Sequence, residues 1–189
     1  MKPNERLYFD SFREVVKAVH STLDIKEVLN VLARKVAQVL DLKGCAIRLL
    51  DSSRMRLRLV ASSGLSEKYL LKGPVDVDRS ISEAMRGKIV SIYNAQEDPR
   101  VQYQKEAKEE GIFSIISAPL SIKGRVIGVM RLYTAEPRTL LDDEVNFIEA
   151  LAEMGAIAIE NARMYERMKK DYENAMGDFG SIADASQDN

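Results

Sequence analysis

Arg131 is the residue whose type and position most strongly indicate a binding site. It lies within the mostly apolar run Arg125–Tyr133, which follows the pair Lys123-Gly124 and a second strand-like run at 114–122. Two such runs joined by a pair that contains glycine are typical of a β-hairpin, because glycine readily adopts the positive φ that a tight turn needs. A charge in the middle of a strand is costly to bury unless it has a partner, and an anionic ligand would be one.

The register of this hairpin decides which residues share a face with Arg131. With a two-residue turn, the paired positions on one side include Ser114, Ile116, Arg131 and Tyr133. The other side is small or apolar, as expected beneath packed helices: Ile115, Ser117, Gly128, Met130 and Leu132. The side with the charge is therefore the predicted pocket face. The alternatives for Arg131 are a solvated sheet face and salt bridges to Asp76, Asp78 or Glu83.

Other chemistry is limited by which residues the chain contains. Cys45 is the single cysteine and His20 the single histidine. One cysteine excludes an internal disulfide and an all-cysteine metal site. One histidine leaves catalytic dyads and zinc sites that use several histidines without their parts. The sequence therefore predicts no enzyme and no metal site, and it indicates no particular cofactor.

The composition is that of a soluble globular protein of one domain with extensions. The 189 residues are 46% hydrophobic and 30% charged, with a formal net charge of −1. This charge gives no case for binding nucleic acid or an anionic membrane. No apolar run is long enough to cross a bilayer, and the N-terminus lacks the apolar core of a signal peptide. We therefore expect a cytoplasmic protein.

The predicted elements imply an α/β (α+β) fold. Helical periodicity covers about 5–20 and 25–40, with Asp24 as N-cap of the second helix. Strands are predicted at 45–50 and 55–61, and a crossover segment follows with helices at 80–86 and 101–110 and a strand at 89–93. The hairpin and a long helix from Leu141 end the domain. This order favours a mostly antiparallel sheet with helices on one face.

The chain resembles the GAF domain, a sensory and regulatory module. The resemblance is carried by the strand that ends Ala118-Pro119-Leu120, the turn, the Gly128-Val129 strand and a terminal helix rich in Ala, Ile and Asn, and it covers 24–165. It implies the spatial strand order 2-1-5-4-3. It also implies that the first, second and last helices cover one face of the sheet, while crossover helices and loops form a pocket on the other. GAF domains usually bind small molecules or partners rather than catalyse reactions.

The resemblance also implies further site residues. The first and last strands become neighbours, so Arg48 is expected near Arg131, and two arginines suit a carboxylate or phosphate group. The loop 94–100 resembles the segment that covers many GAF pockets. In that loop Asn94 and Asp98 are expected either to touch a ligand or to cap the next helix, and for Asp98 capping is the preferred role. The chain lacks the ordered Asn-Lys-Phe-Asp-Glu set of some cyclic-nucleotide-binding members, and Cys45 has no adjacent histidine of the bilin-binding kind.

The terminal helix carries a second apolar stripe that predicts a homodimer. The stripe occupies heptad a and d positions, with a polar residue of the kind that fixes register. Together with one residue of the first helix, the predicted interface is Phe147, Met154, Ile157, Asn161, Met164, Met168 and Phe9. The alternative is that this stripe packs on the first helix of the same chain.

These observations divide the chain into a flanking helix at 1–22, a GAF-like domain at 23–170 and a disordered tail at 171–189. The predicted function is intracellular signalling by a homodimer that binds a small ligand, favoured to be anionic, and relays this through its terminal helices to a signalling partner protein. One alternative is a GAF dimerisation scaffold without a ligand. The other is an enzyme that reduces free methionine sulfoxide, but such enzymes use several cysteines.

Overall fold

The computed structural model describes residues 3–22, 24–51, 56–77 and 81–185. The helices are α1 (Pro3–Ser21), α2 (Ile25–Val39), α3 (Glu67–Leu70), α4 (Gln104–Glu110) and α5 (Asp142–Ala185). The strands are β1 (Gly44–Leu50), β2 (Arg56–Ser63), β3 (Val75–Asp76), β4 (Val90–Ile92), β5 (Ser114–Ile122) and β6 (Arg125–Thr134). The predicted α+β class is confirmed.

The six strands form one antiparallel sheet in the order β3-β2-β1-β6-β5-β4. The sequence analysis did not include β3, a two-residue strand at one edge. When the other five strands are renumbered along the chain, their order is 2-1-5-4-3, which the resemblance implied. The two central strands are therefore β1 and β6, which are far apart in sequence.

Helices α1, α2 and α5 cover one face of this sheet and enclose the main hydrophobic core. Their apolar residues recur at helical spacing, so each helix presents one stripe to the strands. The core joins these stripes to alternate strand residues, among them Leu29, Leu32, Val36, Cys45, Ile47, Ile116, Ala118, Met130, Leu132, Ile148 and Leu151. Asp24 accepts a hydrogen bond from the Lys26 backbone N–H at 2.8 Å and so caps α2 as predicted.

The β5–β6 hairpin differs from the predicted register by one residue. The two-residue turn is as expected, with Lys123 and Gly124 at positive φ. An irregularity between Leu120 and Ser121 then shifts the pairing, so that Ser117 lies opposite Arg131. Because successive strand residues point to opposite faces, this shift reverses β5 relative to β6.

Three predicted boundaries also differ from those observed. The predicted helix at 80–86 is a 3₁₀ turn at Ala84–Arg86, and the predicted helix at 101–110 begins at Gln104. Helix α5 continues to Ala185, whereas a disordered tail is predicted from 171. Glu173, Ala175 and Met176 are good helix formers, although the apolar stripe has ended. The predicted partner Asp78 and the tail residues 186–189 lie outside the described residues.

A hydrogen-bonded junction around Arg138 joins α2, β5 and α5. One guanidinium nitrogen donates to the Leu40 carbonyl at 2.6 Å, and the other donates to the Glu144 carboxylate at 2.5 Å. Glu144 also accepts from the Leu141 N–H at 2.9 Å, which satisfies a free donor at the start of α5. The Arg138 backbone N–H donates to Ser114 Oγ at 3.3 Å. This junction fixes where α5 begins.

We predict that Arg138→Met lowers the free energy of unfolding by about 1.5–3 kcal/mol, because the largely buried Glu144 carboxylate loses its charged partner. Arg167→Met is the matched control. Arg167 pairs with Glu160 at 3.3 Å but is 65% exposed, so its loss is expected to cost less than about 1 kcal/mol. Urea unfolding followed by circular dichroism measures both. Equal losses in the two variants would contradict a structural role for the junction.

Candidate ligand-binding site

The second face of the sheet is covered by the crossover segment between β2 and β5. Two apolar clusters form there. One contains Ala46, Tyr69, Ile92, Ala95, Val101, Ala107, Ile112, Ile115 and Tyr133. The other contains Leu57, Val75, Ile81, Ala84, Val90 and Val129. The crossover segment thus covers this face of the sheet with buried apolar side chains, as the helices cover the other face.

Arg48 and Arg131 lie where these two clusters meet. Arg131 is opposite Ala46 of the first cluster, and Arg48 is opposite Val129 of the second. The arginines are therefore diagonal neighbours on the two central strands and point to the same face. They are 1% and 3% exposed, respectively. The two arginines therefore lie close together and on the face of the sheet that was predicted for them. The alternative of a solvated position for Arg131 is wrong, because this residue is buried.

Arg48 is a buried charge whose hydrogen-bonding capacity is at most partly used. Its Nε and Nη2 atoms have no hydrogen-bond partner among the described residues. The same holds for the hydroxyl of Tyr133, which is fully buried. Burying a polar group without a partner costs free energy, and burying a charge without one costs more. The arrangement is therefore unfavourable on its own and becomes favourable when an anion or acceptor supplies the missing partner.

Lys72 is a third basic side chain on this face of the sheet. It follows α3, and its Nζ atom lies 3.2 Å from the centre of the Tyr69 ring and donates to the Tyr69 carbonyl at 3.1 Å. The Tyr69 ring meets the Tyr133 ring edge-on at a centroid distance of 5.7 Å. Arg131 Cζ lies 5.8 Å from the Tyr133 ring centroid. Two tyrosine rings thus lie between Lys72 and Arg131.

The electrostatics of Lys72 reflect this crowding. Burial, followed by the positive charges of Arg48 and Arg131, lowers the pKa of Lys72 to about 6, and Glu106 and Glu110 oppose this shift only in part. Burial is also the main cause that raises the pKa of the Tyr69 hydroxyl. Near neutral pH the empty site therefore disfavours a third positive charge.

Polar contacts to α4 hold α3 in place over the sheet. Ser66, the N-cap of α3, donates from its backbone N–H to Glu110 at 2.8 Å, and its hydroxyl donates to the same carboxylate. Lys68 forms a salt bridge to Glu109 at 2.9 Å. Because Tyr69 and Lys72 belong to this segment, their positions depend on α4.

Two of the predicted pocket residues are elsewhere. The prediction for Ile116 is wrong, because the shifted register turns this residue into the core beneath the helices. The prediction for Ser114 is wrong for the same reason, since its place in the set came from the unshifted register. Its hydroxyl donates to the Tyr93 carbonyl at 2.8 Å. It occupies the end of β5 and is paired with Thr134.

The loop residues Asn94 and Asp98 bind their own loop. Asn94 accepts from the Gln96 N–H at 3.1 Å and donates to Glu97 at 3.1 Å. Asp98 forms a salt bridge to Arg100 at 2.7 Å, which is the first cause that lowers the pKa of its carboxyl group. Asp98 does not cap α4, whose N-cap is Tyr103. A contact of either residue with a ligand stays a prediction.

Lys72 and Tyr69 were not predicted from the sequence. Their spacing of three residues at the end of a helix places them on one side, which is the signal that could have identified the pair. Tyr103 belongs to the same group, since Lys72 Nζ lies 5.8 Å from its ring centroid. These residues come from a part of the chain without apolar periodicity, so no pattern assigned them a face.

Cys45 is separated from this site by the sheet. It is completely buried and belongs to the main core beneath the helices. Burial strongly raises the pKa of its thiol, so the reactive thiolate is disfavoured. In the parts of the chain that the structure describes, no three His, Cys, Asp or Glu side chains are placed to share a metal ion.

The predicted dimer stripe divides into buried and exposed residues. Phe147 is buried and stacks on Tyr8 of α1 at a centroid distance of 4.7 Å, and Met154 packs partly against the core. Ile157 and Met164 are 54% and 50% exposed. The other predicted residues with exposed side chains are Phe9, Asn161 and Met168. Packing on α1 of the same chain therefore accounts for the start of the stripe and leaves the rest uncovered.

A groove borders this exposed part of α5. It has a volume of about 500 Å³ and is lined by Ile157, Asn161 and Met164 together with the tip of the β5–β6 hairpin. Among residues 3–22, 24–51, 56–77 and 81–185, no helical stretch combines the length and hydropathy that a bilayer crossing requires. The exposed apolar residues thus form a stripe beside a groove on α5.

Curated relatives of this chain are sensors and regulators. It is 26% identical over 181 residues to a methyl sulfide methyltransferase-associated sensor of Methanosarcina acetivorans, a match that covers 92% of this chain and 18% of that protein. It is 23% identical over 171 residues to the formate hydrogenlyase transcriptional activator of Salmonella typhimurium, which covers 85% of this chain and 25% of that protein. The chain thus spans at most a quarter of the length of these relatives.

Solved structures share its fold. The GAF domain of an Acinetobacter phosphoenolpyruvate-protein phosphotransferase has a TM-score of 0.71 and 22% identity, with 87% of this chain and 97% of that chain covered. A free methionine-R-sulfoxide reductase from Neisseria meningitidis in complex with its substrate also has a TM-score of 0.71, with 18% identity and coverage of 87% and 95%. A family model of the GAF domain matches residues 22–160. On this match, which covers most of its length, the chain belongs to the GAF-domain family of sensory and regulatory modules.

Proposed function

We propose that this chain is a signalling module of the cytoplasm that binds a small anionic ligand between its sheet and its crossover segment. Ligand binding changes the arrangement of the terminal helices, through which two copies associate, and the signal passes to a partner protein. The curated relatives support the signalling role, because one is a sensor and another a transcriptional activator. The ligand and the dimer are supported by the geometry of this chain.

The observation that carries the proposal is that Nε and Nη2 of buried Arg48 have no hydrogen-bond partner among the described residues. A guanidinium presents donors in a planar fork that matches the two oxygen atoms of a carboxylate or phosphate group. Arg131 lies beside it on β6, so an anion there meets two positive charges in a low-dielectric environment. A scaffold with a pocket filled by its own apolar side chains has no need of a buried charge at this position.

A continuous set of contacts leads from the site to the helices. Tyr133 is followed by Thr134, whose hydroxyl donates to the Glu136 carbonyl at 2.6 Å. Ser114 links Tyr93, which precedes the 94–100 loop, to the backbone N–H of Arg138. Arg138 in turn holds the start of α5. A shift of the loop or of β6 on ligand binding is proposed to change the angle of α5 through these bonds.

The proposed homodimer uses the exposed stripe of α5. Exposed apolar side chains at heptad spacing are stabilised when a second helix covers them. Ile157, Met164 and Met168 meet this spacing and are all at least half exposed. Asn161 lies between them at an a position, where a buried amide would fix the register of two helices.

The burial of Cys45 argues against the enzymatic alternative. Reduction of a sulfoxide by a thiol needs an accessible thiolate and a second thiol that resolves the intermediate. Cys45 is the single cysteine of the chain, and its thiol faces the helices rather than the candidate site. The likeness to a methionine sulfoxide reductase therefore supports a shared fold.

We predict that Arg48→Met retains stability and loses ligand. The unfolding free energy should equal that of the wild type or exceed it by up to about 4 kcal/mol, because a buried charge is replaced by an apolar side chain of similar length. Native mass spectrometry of freshly purified wild-type protein is expected to show a retained small molecule that is absent from the variant. Each charge-assisted bond lost is worth about 1.5–3 kcal/mol of affinity.

Arg58→Met is the control for this experiment, since Arg58 lies on β2 with an exposed side chain. It is expected to change stability by less than about 0.5 kcal/mol and to keep the ligand. A marked loss of stability in Arg48→Met would identify Arg48 as a structural ion-pair member and remove the main support for the proposed function.

We predict that Ile157→Glu with Met164→Glu converts a dimer into folded monomers. The pair places like charges in the proposed seam, and both side chains are exposed within one chain, so the thermal unfolding of the monomer should change little. The choice avoids Met154, which packs partly against the core. Sedimentation velocity measures the oligomeric state at concentrations in the range of about 1–100 μM, which covers modest affinities.

Lys170→Glu is the control, because this exposed residue lies two positions beyond Met168 and so on the far side of the helix. It should leave the dimer intact. A monomeric wild-type protein throughout this concentration range would refute the proposed association.

A further inference from the structure

Lys72 belongs to the segment that covers the face of the sheet to which Arg48 points. Tyr69, on one side of Lys72, belongs to the cluster of Ala46, whereas Tyr103 packs against the cluster of Val129, the residue opposite Arg48. The Nζ atom of Lys72 stands on the face of Tyr69 and lies 5.8 Å from the centre of the Tyr103 ring. Tyr103 is fixed in turn, since its hydroxyl donates to the Pro74 carbonyl at 2.9 Å. The lysine is thus held between two rings, at the end of α3, on the segment that covers the sheet.

We propose that Lys72 and Arg48 clamp the ligand from opposite sides and that the site therefore selects a small oxyanion, such as a carboxylate, sulfate or phosphate group. This rests on the proposed function, since it names the ligand class of the same site. Arg48 supplies unused donors from the sheet, and Lys72 supplies a point charge from the crossover segment. A neutral ligand would leave the charge of Arg48 buried and unbalanced, and it would not favour the protonated form of Lys72.

The charged groups around Lys72 determine how such a ligand is held. Arg48 on β1 and Arg131 on β6 repel its ammonium form, whereas Glu106 and Glu110 on α4 attract it. The neighbouring titratable side chains are the hydroxyls of Tyr69 and Tyr103. Since burial and the arginines outweigh the glutamates, the pKa of Lys72 is lowered to about 6, and its amine is mostly neutral at pH 7 in the empty site.

An oxyanion reverses this balance and makes the clamp depend on a proton. The negative charge favours the ammonium form, so the pKa of Lys72 rises on binding and one proton is taken up near neutral pH. Below pH 6 the amine is already protonated, so affinity is constant there. Above pH 6 affinity falls, by up to about tenfold per pH unit for one linked proton, until the pH passes the pKa of the bound state.

The test uses sulfate and acetate, because both are almost fully ionised between pH 6 and pH 8.5. Isothermal titration calorimetry at constant ionic strength, in two buffers of different ionisation enthalpy, gives both the affinity and the number of protons taken up. For the wild type we expect at least one of the two anions to bind at pH 6, weaker binding at pH 8, and an uptake that approaches one proton at pH 7.5.

Variants of Lys72 separate the clamp from a structural role. Lys72→Arg keeps a permanent charge and should bind the same anion with little pH dependence and no proton uptake. Lys72→Met should bind at least tenfold more weakly at pH 6, again without uptake. The control Lys68→Met removes a lysine that pairs with Glu109 and is 81% exposed, and it should behave as the wild type. Circular dichroism checks that each variant is folded.

Three outcomes overturn the proposal. The first is that neither anion binds the wild type at 20 mM and pH 6. The second is that a wild-type pH dependence persists in Lys72→Arg. The third is that Lys72→Met binds as tightly as the wild type. If a ligand is nevertheless retained by the wild type and lost in Arg48→Met, the proposed function stands and the oxyanion clamp alone is wrong.

Discussion

The pairing of β1 with β6 in the centre of the sheet is the constraint on which the candidate site depends. It brings together two strands separated by about eighty residues and sets Arg48 and Arg131 side by side on one face. Gly128 makes the close approach of these strands possible, since a Cβ atom there would lie 2.4 Å from the Arg48 carbonyl oxygen. Arg48, which carries the proposed function, is therefore positioned by close contact between the backbones of β1 and β6. Gly128 permits this contact because no side chain would fit at its position.

The same pairing separates the chemistry of the two faces. Alternate residues of β1 and β6, such as Cys45 and Met130, point into the core beneath the helices, where only apolar groups are stable. Their neighbours in sequence point to the other face, where the apolar clusters surround the arginines and keep water away. Low polarity raises the cost of the incompletely paired charge of Arg48 and also strengthens its attraction for an anion. A site of this kind is expected to differ strongly in energy between its empty and occupied states, which a sensor needs.

Much of the fold could be predicted because it follows from periodicity and from the resemblance to a known family. The helices and the order of the long strands could be predicted without knowledge of individual contacts. Which residues of β5 point to which face could not be predicted in this way. One irregularity after Leu120 shifts the pairing, so every earlier residue of β5 points to the face opposite to the predicted one. Pro119 was the available signal, since proline within a strand is confined to edges, first positions and bulges. Lys72 was missed because its segment has no period, so its place depends on tertiary contacts with Tyr69 and α4.

Ligand and helices are linked in this account by short, specific bonds rather than by a change of fold. The central claim is that a small oxyanion binds at Arg48, and a crystal structure of the protein soaked with selenate tests it directly through the anomalous signal of selenium. We predict a selenate oxygen within about 2.7–3.2 Å of Arg48 Nε or Nη2. An ordered Arg48 that is paired with a carboxylate of the same chain, with no anomalous peak beside it, would contradict the account.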